Sequence, residues 1–232
     1  MKKILTTAIL CAGLVGFTAC DSFLDEDPKS SLTLDTYYKT SADIIGNVNY
    51  LYRDGAPDKM GNMTGAYRGS SLSVMNMVTG YFVNEYEGQE VDCSYARQLT
   101  RQDFTQSCCN YLTNDTWKSC YKSINVANAV IKYVDGVEMD NQAQYKAEAR
   151  FFRALNYFYL VKMFGDVPMV TEPTEDATLV EYPTRTAASE VFNTVIIPDL
   201  QFAVENLPNA TFAGNSHRVT KYAADMLLAD VY

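Results

Sequence analysis

The chain has 232 residues, 47% of them hydrophobic and 12% aromatic, with 19 Lys and Arg against 28 Asp and Glu. That length holds one substantial core. A formal charge of −9 repels phosphate backbones and anionic bilayers, which argues against nucleic-acid binding and against membrane attachment through surface charge.

Residues 1–19 read as a processing signal rather than part of the fold. Lys2 and Lys3 form a positive n-region, and Ile4 to Thr18 is an apolar stretch too short and wrongly flanked to span a membrane. It ends at Phe17-Thr18-Ala19-Cys20, a small residue before a cysteine, which suits signal cleavage with lipid attached at Cys20. Phe17 departs from the leucine usual at its position. The alternative is an ordinary secretory signal with an incidental cysteine. Residues 20–40 are an acidic tether and the start of the fold, with Asp21, Asp25, Glu26 and Asp27 before Pro28.

Residues 41–232 read as one helical domain. Ser41 is the expected N-cap of a helix whose inner side carries Ile44, Ile45, Val48, Leu51 and Tyr52. Residues 55–69 are loop-like, and Ser70 to Tyr86 has the pattern of a helix with a methionine-rich face. Glu87 to Thr113 lacks a period and is expected to wind over the surface. Trp117, Tyr121, Ile124, Asn128 and Ile131 mark a helical stripe, with Asn125 and Asn128 expected to bond neighbouring backbone.

From Ala147 to Phe164 apolar side chains fall on nearly every face, so neighbouring helices must cover it. Gly165 is expected to cap it in the left-handed conformation, and Pro168 cannot continue it. Arg150 and Arg153, on this helix with Glu148, are expected to form ion pairs that join helices. The other reading is an anion site. A proline-punctuated connector follows from Val170 to Pro183. The next helix starts at Thr186 or Ser189 and is interrupted at Ile197-Pro198, after which Asp199 suits a helix start. Leu200, Ala203, Val204 and Leu207 form its stripe. Residues 209–216 form a loop, and the last helix, Tyr222 to Tyr232, shows no cap, which suggests an N-terminal part of a longer protein.

Helices beginning near Trp117, Ala147, Ala187 and Tyr222 recur at roughly 30–40 residues, the period of paired-helix repeats. The expected fold is therefore all-α, a tetratricopeptide-like array of helical pairs with long irregular loops and a concave face suited to a large partner.

Ala147 to Pro168 resembles a signature of the SusD/RagB family of nutrient-uptake lipoproteins. Trp117 to Tyr121 with Ile124 and Ala127-Asn128, then Asp199-Leu200, Ala203 and Leu207-Pro208, then Arg218, Ala223-Ala224 and Leu227 to Ala229, resemble its flanking helices in order and spacing. The resemblance implies a surface-exposed, lipid-anchored, non-catalytic outer-membrane subunit. It would bind an oligosaccharide or peptide and deliver it to a TonB-dependent, SusC-like transporter. It also places part of the glycan site in loops near residues 85–111. There Tyr86, Tyr95, Arg97, Asn110 and Tyr111 supply the aromatic faces and polar groups that sugar binding needs, although no motif matches the family residue by residue.

Catalytic and metal motifs are sparse. The chain has 1 histidine, His217, and no HExxH, P-loop or GxGxxG motif, so no catalytic residue, metal ligand or cofactor is assigned. Glu85, Glu87, Glu90 and Asp92 could serve a surface glycan-processing enzyme, although a solvated acidic loop is the plainer reading. A structural or adhesive lipoprotein is the third alternative. Among the cysteines Cys93, Cys108, Cys109 and Cys120 no zinc spacing appears, and buried thiols are expected ahead of a disulfide.

Overall fold

The computed structural model describes residues 33–53, 79–81, 101–102, 107–175 and 183–232, with backbone alone for Asp35, Arg53 and residues 107–115. α1 is Leu34–Tyr37 and α2 is Ser41–Arg53. The N-cap of α2 is Thr40, one residue before Ser41. The Thr40 backbone N–H donates to Asp43 Oδ2 at 2.8 Å, and the Asp43 N–H donates to Thr40 Oγ1 at 3.4 Å. This is a capping box with an acid at the third position. Its bonds from Thr40 hold the Asp43 carboxyl below the usual carboxylate range. Ile44, Val48 and Leu51 are fully buried, and Ile45 and Tyr52 half-buried, which is the inner side read from the sequence.

α3 is Ser107–Tyr133, so it begins ten residues before Trp117 in a stretch that the sequence reads as irregular. Within the stretch read as a helix over Ser70–Tyr86, Thr79–Tyr81 form a turn with Gly80 at φ 78°, and the rest of that stretch lies outside the described residues. After α3 a 3-10 turn, Val134–Gly136, leads through a short loop into α4, Gln142–Phe164. Gln142 closes the join by donating from Nε2 to the carbonyls of Val134 (2.8 Å) and Val137 (3.0 Å). α4 is buried on several faces, including Ala147, Phe151, Phe152, Ala154, Tyr157, Phe158 and Val161.

Gly165 ends α4, its N–H donating to Val161 O at 3.0 Å, with φ 67° and ψ −122°. The positive φ is as expected. The ψ lies outside the left-handed helical well and matches the first central position of a II′ turn, where glycine is the usual residue. The connector then gains a pairing that the sequence does not reveal. Strand β1, Val167–Pro168, pairs antiparallel with β2, Arg185–Thr186.

In the described part of the connector, up to Glu175, side chains of α3 and α4 bond the backbone. The Tyr121 hydroxyl donates to Pro168 O at 2.7 Å. The Tyr157 hydroxyl donates to Val170 O at 2.8 Å and accepts the Val170 N–H at 2.7 Å. Asn128 Nδ2 donates to Val170 O and Glu172 O, and Asn125 Oδ1 accepts the Thr174 N–H. The two asparagines thus satisfy backbone groups, as such residues in a core must.

α5, Ala188–Val191, runs through a π-helical turn, Phe192–Ile196, into α6, Ile197–Asn206. Pro198 has no N–H to give to the preceding turn. The widened turn absorbs that loss without a break, because Val191, Phe192, Ile196 and Ile197 all keep right-handed helical angles. Ala213–Asn215 forms a 3-10 turn, and α7 is Lys221–Val231. α3 packs along α4, α4 along α6, and α6 along α7, while α2 lies against α3 and α4. The unit Leu34–Tyr232 is an all-α, tetratricopeptide-like stack of helical pairs. No helix among the described residues is long and apolar enough to cross a membrane.

Candidate functional site

Tyr86, Tyr95 and Arg97 lie outside the described residues, as do Cys20, Cys93, Glu85, Glu87, Glu90 and Asp92. Asn110 and Tyr111 stand near the start of α3, where backbone alone is described. Cys120 is fully buried, and Trp117 packs at 5.1 Å from the Phe164 ring and 5.0 Å from Tyr121, a core position rather than a sugar platform.

A cleft of about 620 Å³ opens at the other end of α4, within the range of small-ligand pockets. Ser41 and Ile45 of α2 form one wall, Tyr145 of α4 another, and residues 138–141 the ledge between them. Buried Val137 anchors the ledge at one end, 4% exposed, and Asn141 turns the chain into α4 at φ 57°. Between these fixed points Glu138 and Asp140 are exposed and Met139 is half-buried. Asp135, just before the ledge, is paired with Lys146.

Behind Tyr145 lies a buried ionic hub. Glu148 is fully buried and accepts Arg218 Nη2 at 2.6 Å on Oε2, with Arg218 Nε at 3.0 Å from both carboxylate oxygens. The Tyr52 hydroxyl donates to Glu148 Oε2 at 2.7 Å and accepts the Val219 N–H at 3.0 Å. Gln144 Nε2 donates to Glu148 Oε1 at 3.1 Å, and Arg218 Nη1 donates to Asn49 Oδ1 at 2.7 Å. The Arg218 guanidinium also lies over the rings of Tyr52 (4.9 Å) and Tyr145 (5.3 Å). Burial followed by the Glu148 charge pushes the Tyr52 phenol far above its ordinary value. Burial alone would lower the Arg218 guanidinium, but the bonds and charge of Glu148 outweigh it and raise it.

A second hub joins α4 to α6. Arg153 donates from Nε to Asp199 Oδ2 at 2.6 Å and from Nη2 to Oδ1 at 2.9 Å, while its Nη1 donates to Asn128 Oδ1 at 2.9 Å. Arg150 Nη1 lies 3.7 Å from Asp199 Oδ1, and its guanidinium stacks 4.3 Å over Phe202. Burial pushes the Asp199 carboxyl up, against the opposing pull of Arg153 and Arg150. The two arginines thus pair across helices, and the anion-site reading is not needed. Asp199, read from sequence as a helix-start acid, is their counter-ion.

The sequence reveals Glu148 as an acid in an apolar helix, but its partner lies 70 residues away in a loop. His217 adopts φ 61° in that loop, edge-on to Phe212 at 5.2 Å. Among the described residues no group of three or more His, Cys, Asp or Glu could hold a metal. The arrangement suits binding by hydrogen bonds and an aromatic face.

The chain is 29% identical over 235 residues to a SusD-like protein of Formosa agariphila, covering 100% of this chain and 43% of that protein. Its fold matches that of a SusD superfamily protein from Parabacteroides distasonis at a TM-score of 0.64 and 26% identity, over 87% of this chain and 40% of the other. A surface glycan-binding protein from Bacteroides fluxus shares the fold at a TM-score of 0.64 and 22% identity, over 83% and 40%. The chain spans about two fifths of the length of its curated relatives, 43%, 40% and 38% in three of them. Residues 22–232 match the family described as starch-binding and associating with the outer membrane, and the chain belongs to that SusD-like family.

Proposed function

We propose that the chain is the N-terminal helical part of a surface-exposed, non-catalytic binding subunit, lipid-anchored at Cys20. It captures an oligosaccharide at the outer membrane and delivers it to a TonB-dependent, SusC-like transporter. The observation that carries this reading is the family match over residues 22–232. The Bacteroides fluxus relative, a surface glycan-binding protein, gives the same fold a glycan-binding precedent. The paired-helix array supports docking to a large partner, since such stacks present extended surfaces. Tyr86, Tyr95, Arg97, Asn110 and Tyr111 remain the proposed sugar contacts in the loop region.

The test is to tag the full-length protein, solubilise the outer membrane gently and identify what co-purifies. A stoichiometric TonB-dependent barrel is expected, together with glycan binding and no change in the glycan. Surface anchoring without a barrel would overturn the delivery role. Products released from the bound polymer would overturn the non-catalytic reading. Cys20→Ser is expected to move the protein from the membrane to the soluble fraction.

A further inference from the structure

The cleft beside Tyr145 is built from parts that suit a sugar. An aromatic ring offers a face to pyranose C–H groups, and carboxylates accept paired hydrogen bonds from vicinal hydroxyls. The Tyr145 ring lines the cleft and is held from behind by Arg218, itself fixed by the buried Glu148. That contact restricts the ring before any ligand arrives, and a restricted ring loses less entropy on binding. Ile45 and Met139 add half-buried apolar surface. Glu138 and Asp140 stand exposed on the ledge and bond to no other described residue, whereas the nearby Asp135 is neutralised by Lys146.

We infer that this cleft is a binding subsite for a neutral oligosaccharide, stacked on Tyr145 and hydrogen-bonded by Glu138 and Asp140. The inference rests on the glycan-binding reading above and adds to it a place and a charge class. Two carboxylates on the ledge, on a chain of net charge −9, repel uronic acids and sulfated sugars while favouring hydroxyl donors. The volume of about 620 Å³ accommodates a short oligosaccharide segment. A metal is the weaker occupant, since among the described residues no third His, Cys, Asp or Glu joins Glu138 and Asp140.

The test is amide hydrogen exchange on the full-length protein with maltohexaose, laminarihexaose and, as an anionic control, trigalacturonate. Protection of residues 138–145 and 41–45 is expected with at least one neutral hexasaccharide and not with trigalacturonate. In the double variant Glu138→Gln with Asp140→Asn the same protection should need roughly ten-fold more sugar or beyond, because each amide oxygen still accepts a hydrogen bond but without charge assistance. Exposure of both residues leaves the fold intact in that variant. Sugar binding with protection confined to other segments, or unchanged protection in the variant, overturns the inference and leaves the glycan-binding reading standing. Equal protection by trigalacturonate overturns the charge class. Failure of the wild type to bind these or any of a wider panel of neutral plant, starch and host oligosaccharides overturns both readings together.

Discussion

Glu148 carries a charge at zero exposure, and Arg218, Tyr52 and Gln144 are what make that tolerable. Removing one partner of a buried pair leaves the other charge uncompensated, which costs about 3–5 kcal/mol. Arg218→Ala is expected to lose that much in urea unfolding, followed by the fluorescence of Trp117. Arg218→Lys should recover only part of it, because a point charge cannot bond both carboxylate oxygens or stack on Tyr52 and Tyr145. A loss under about 1 kcal/mol for Arg218→Ala would mean that water reaches Glu148 and the hub is not closed. Gly165 makes a different residue-scale case. A Cβ there would meet nothing within 4 Å, so space is not the constraint. Its φ of 67° is. Gly165→Ala is expected to destabilise by about 1–2 kcal/mol through backbone conformation alone, and an unchanged unfolding midpoint would refute the strain argument.

At the scale of elements, the Arg153–Asp199 pair fixes α6 against α4. Asp199→Leu or Arg153→Met alone should each destabilise strongly, while the double variant should cost clearly less than the two together, because an apolar pair of similar volume can replace a buried ion pair. Additive losses in the double-mutant cycle would mean that the pair does not act as a unit. Which elements could be read from the sequence follows from the same physics. The inner sides of α2 and α6 and the all-round burial of α4 are written in apolar periods, and Ile44, Val48, Leu51 and Leu200 are buried as that reading requires. The first turns of α3 are not readable. Ser107, Asn110, Thr113, Asn114 and Asp115 are weak helix formers without an apolar stripe, and the rest of a 27-residue helix carries them. The two-residue strands and the π-helical turn are fixed by tertiary partners and by one proline. The hubs are half legible: Arg150, Arg153 and Glu148 stand out as charges in an apolar helix, but Asp199 and Arg218 become their partners only through folding. The cleft was not legible, because it joins Ser41 to Tyr145 across the stack.

At the scale of the whole molecule, the helices and the connector are held together by buried tyrosines, and that choice sets an alkaline limit. Burial pushes the phenols of Tyr38 and Tyr157 up to about 12. Burial likewise raises Tyr52, Tyr121 and Tyr159 above their ordinary value. An unfolded phenol ionises near pH 10, so between that pH and the folded values the unfolded chain releases protons that the folded chain retains. The contribution of these groups is fully present below about pH 10 and is lost as pH rises through about 12. Stability is therefore expected to stay level from neutral pH to about 9 and to fall steeply above 10, with tyrosinate absorbance from the buried rings appearing together with loss of helical circular dichroism. Gradual ionisation with helicity intact would show that these rings are reached by solvent in the folded state. Tyr157 separates the two roles of a buried phenol. Tyr157→Phe deletes the bonds to both backbone groups of Val170, which should cost about 1–3 kcal/mol at neutral pH. It also deletes a group that favours unfolding in alkali, so the fall in stability above pH 10 should be shallower than in the wild type. A parallel pH profile, merely shifted down, would assign Tyr157 a hydrogen-bonding role alone and place the alkaline limit in the other buried rings.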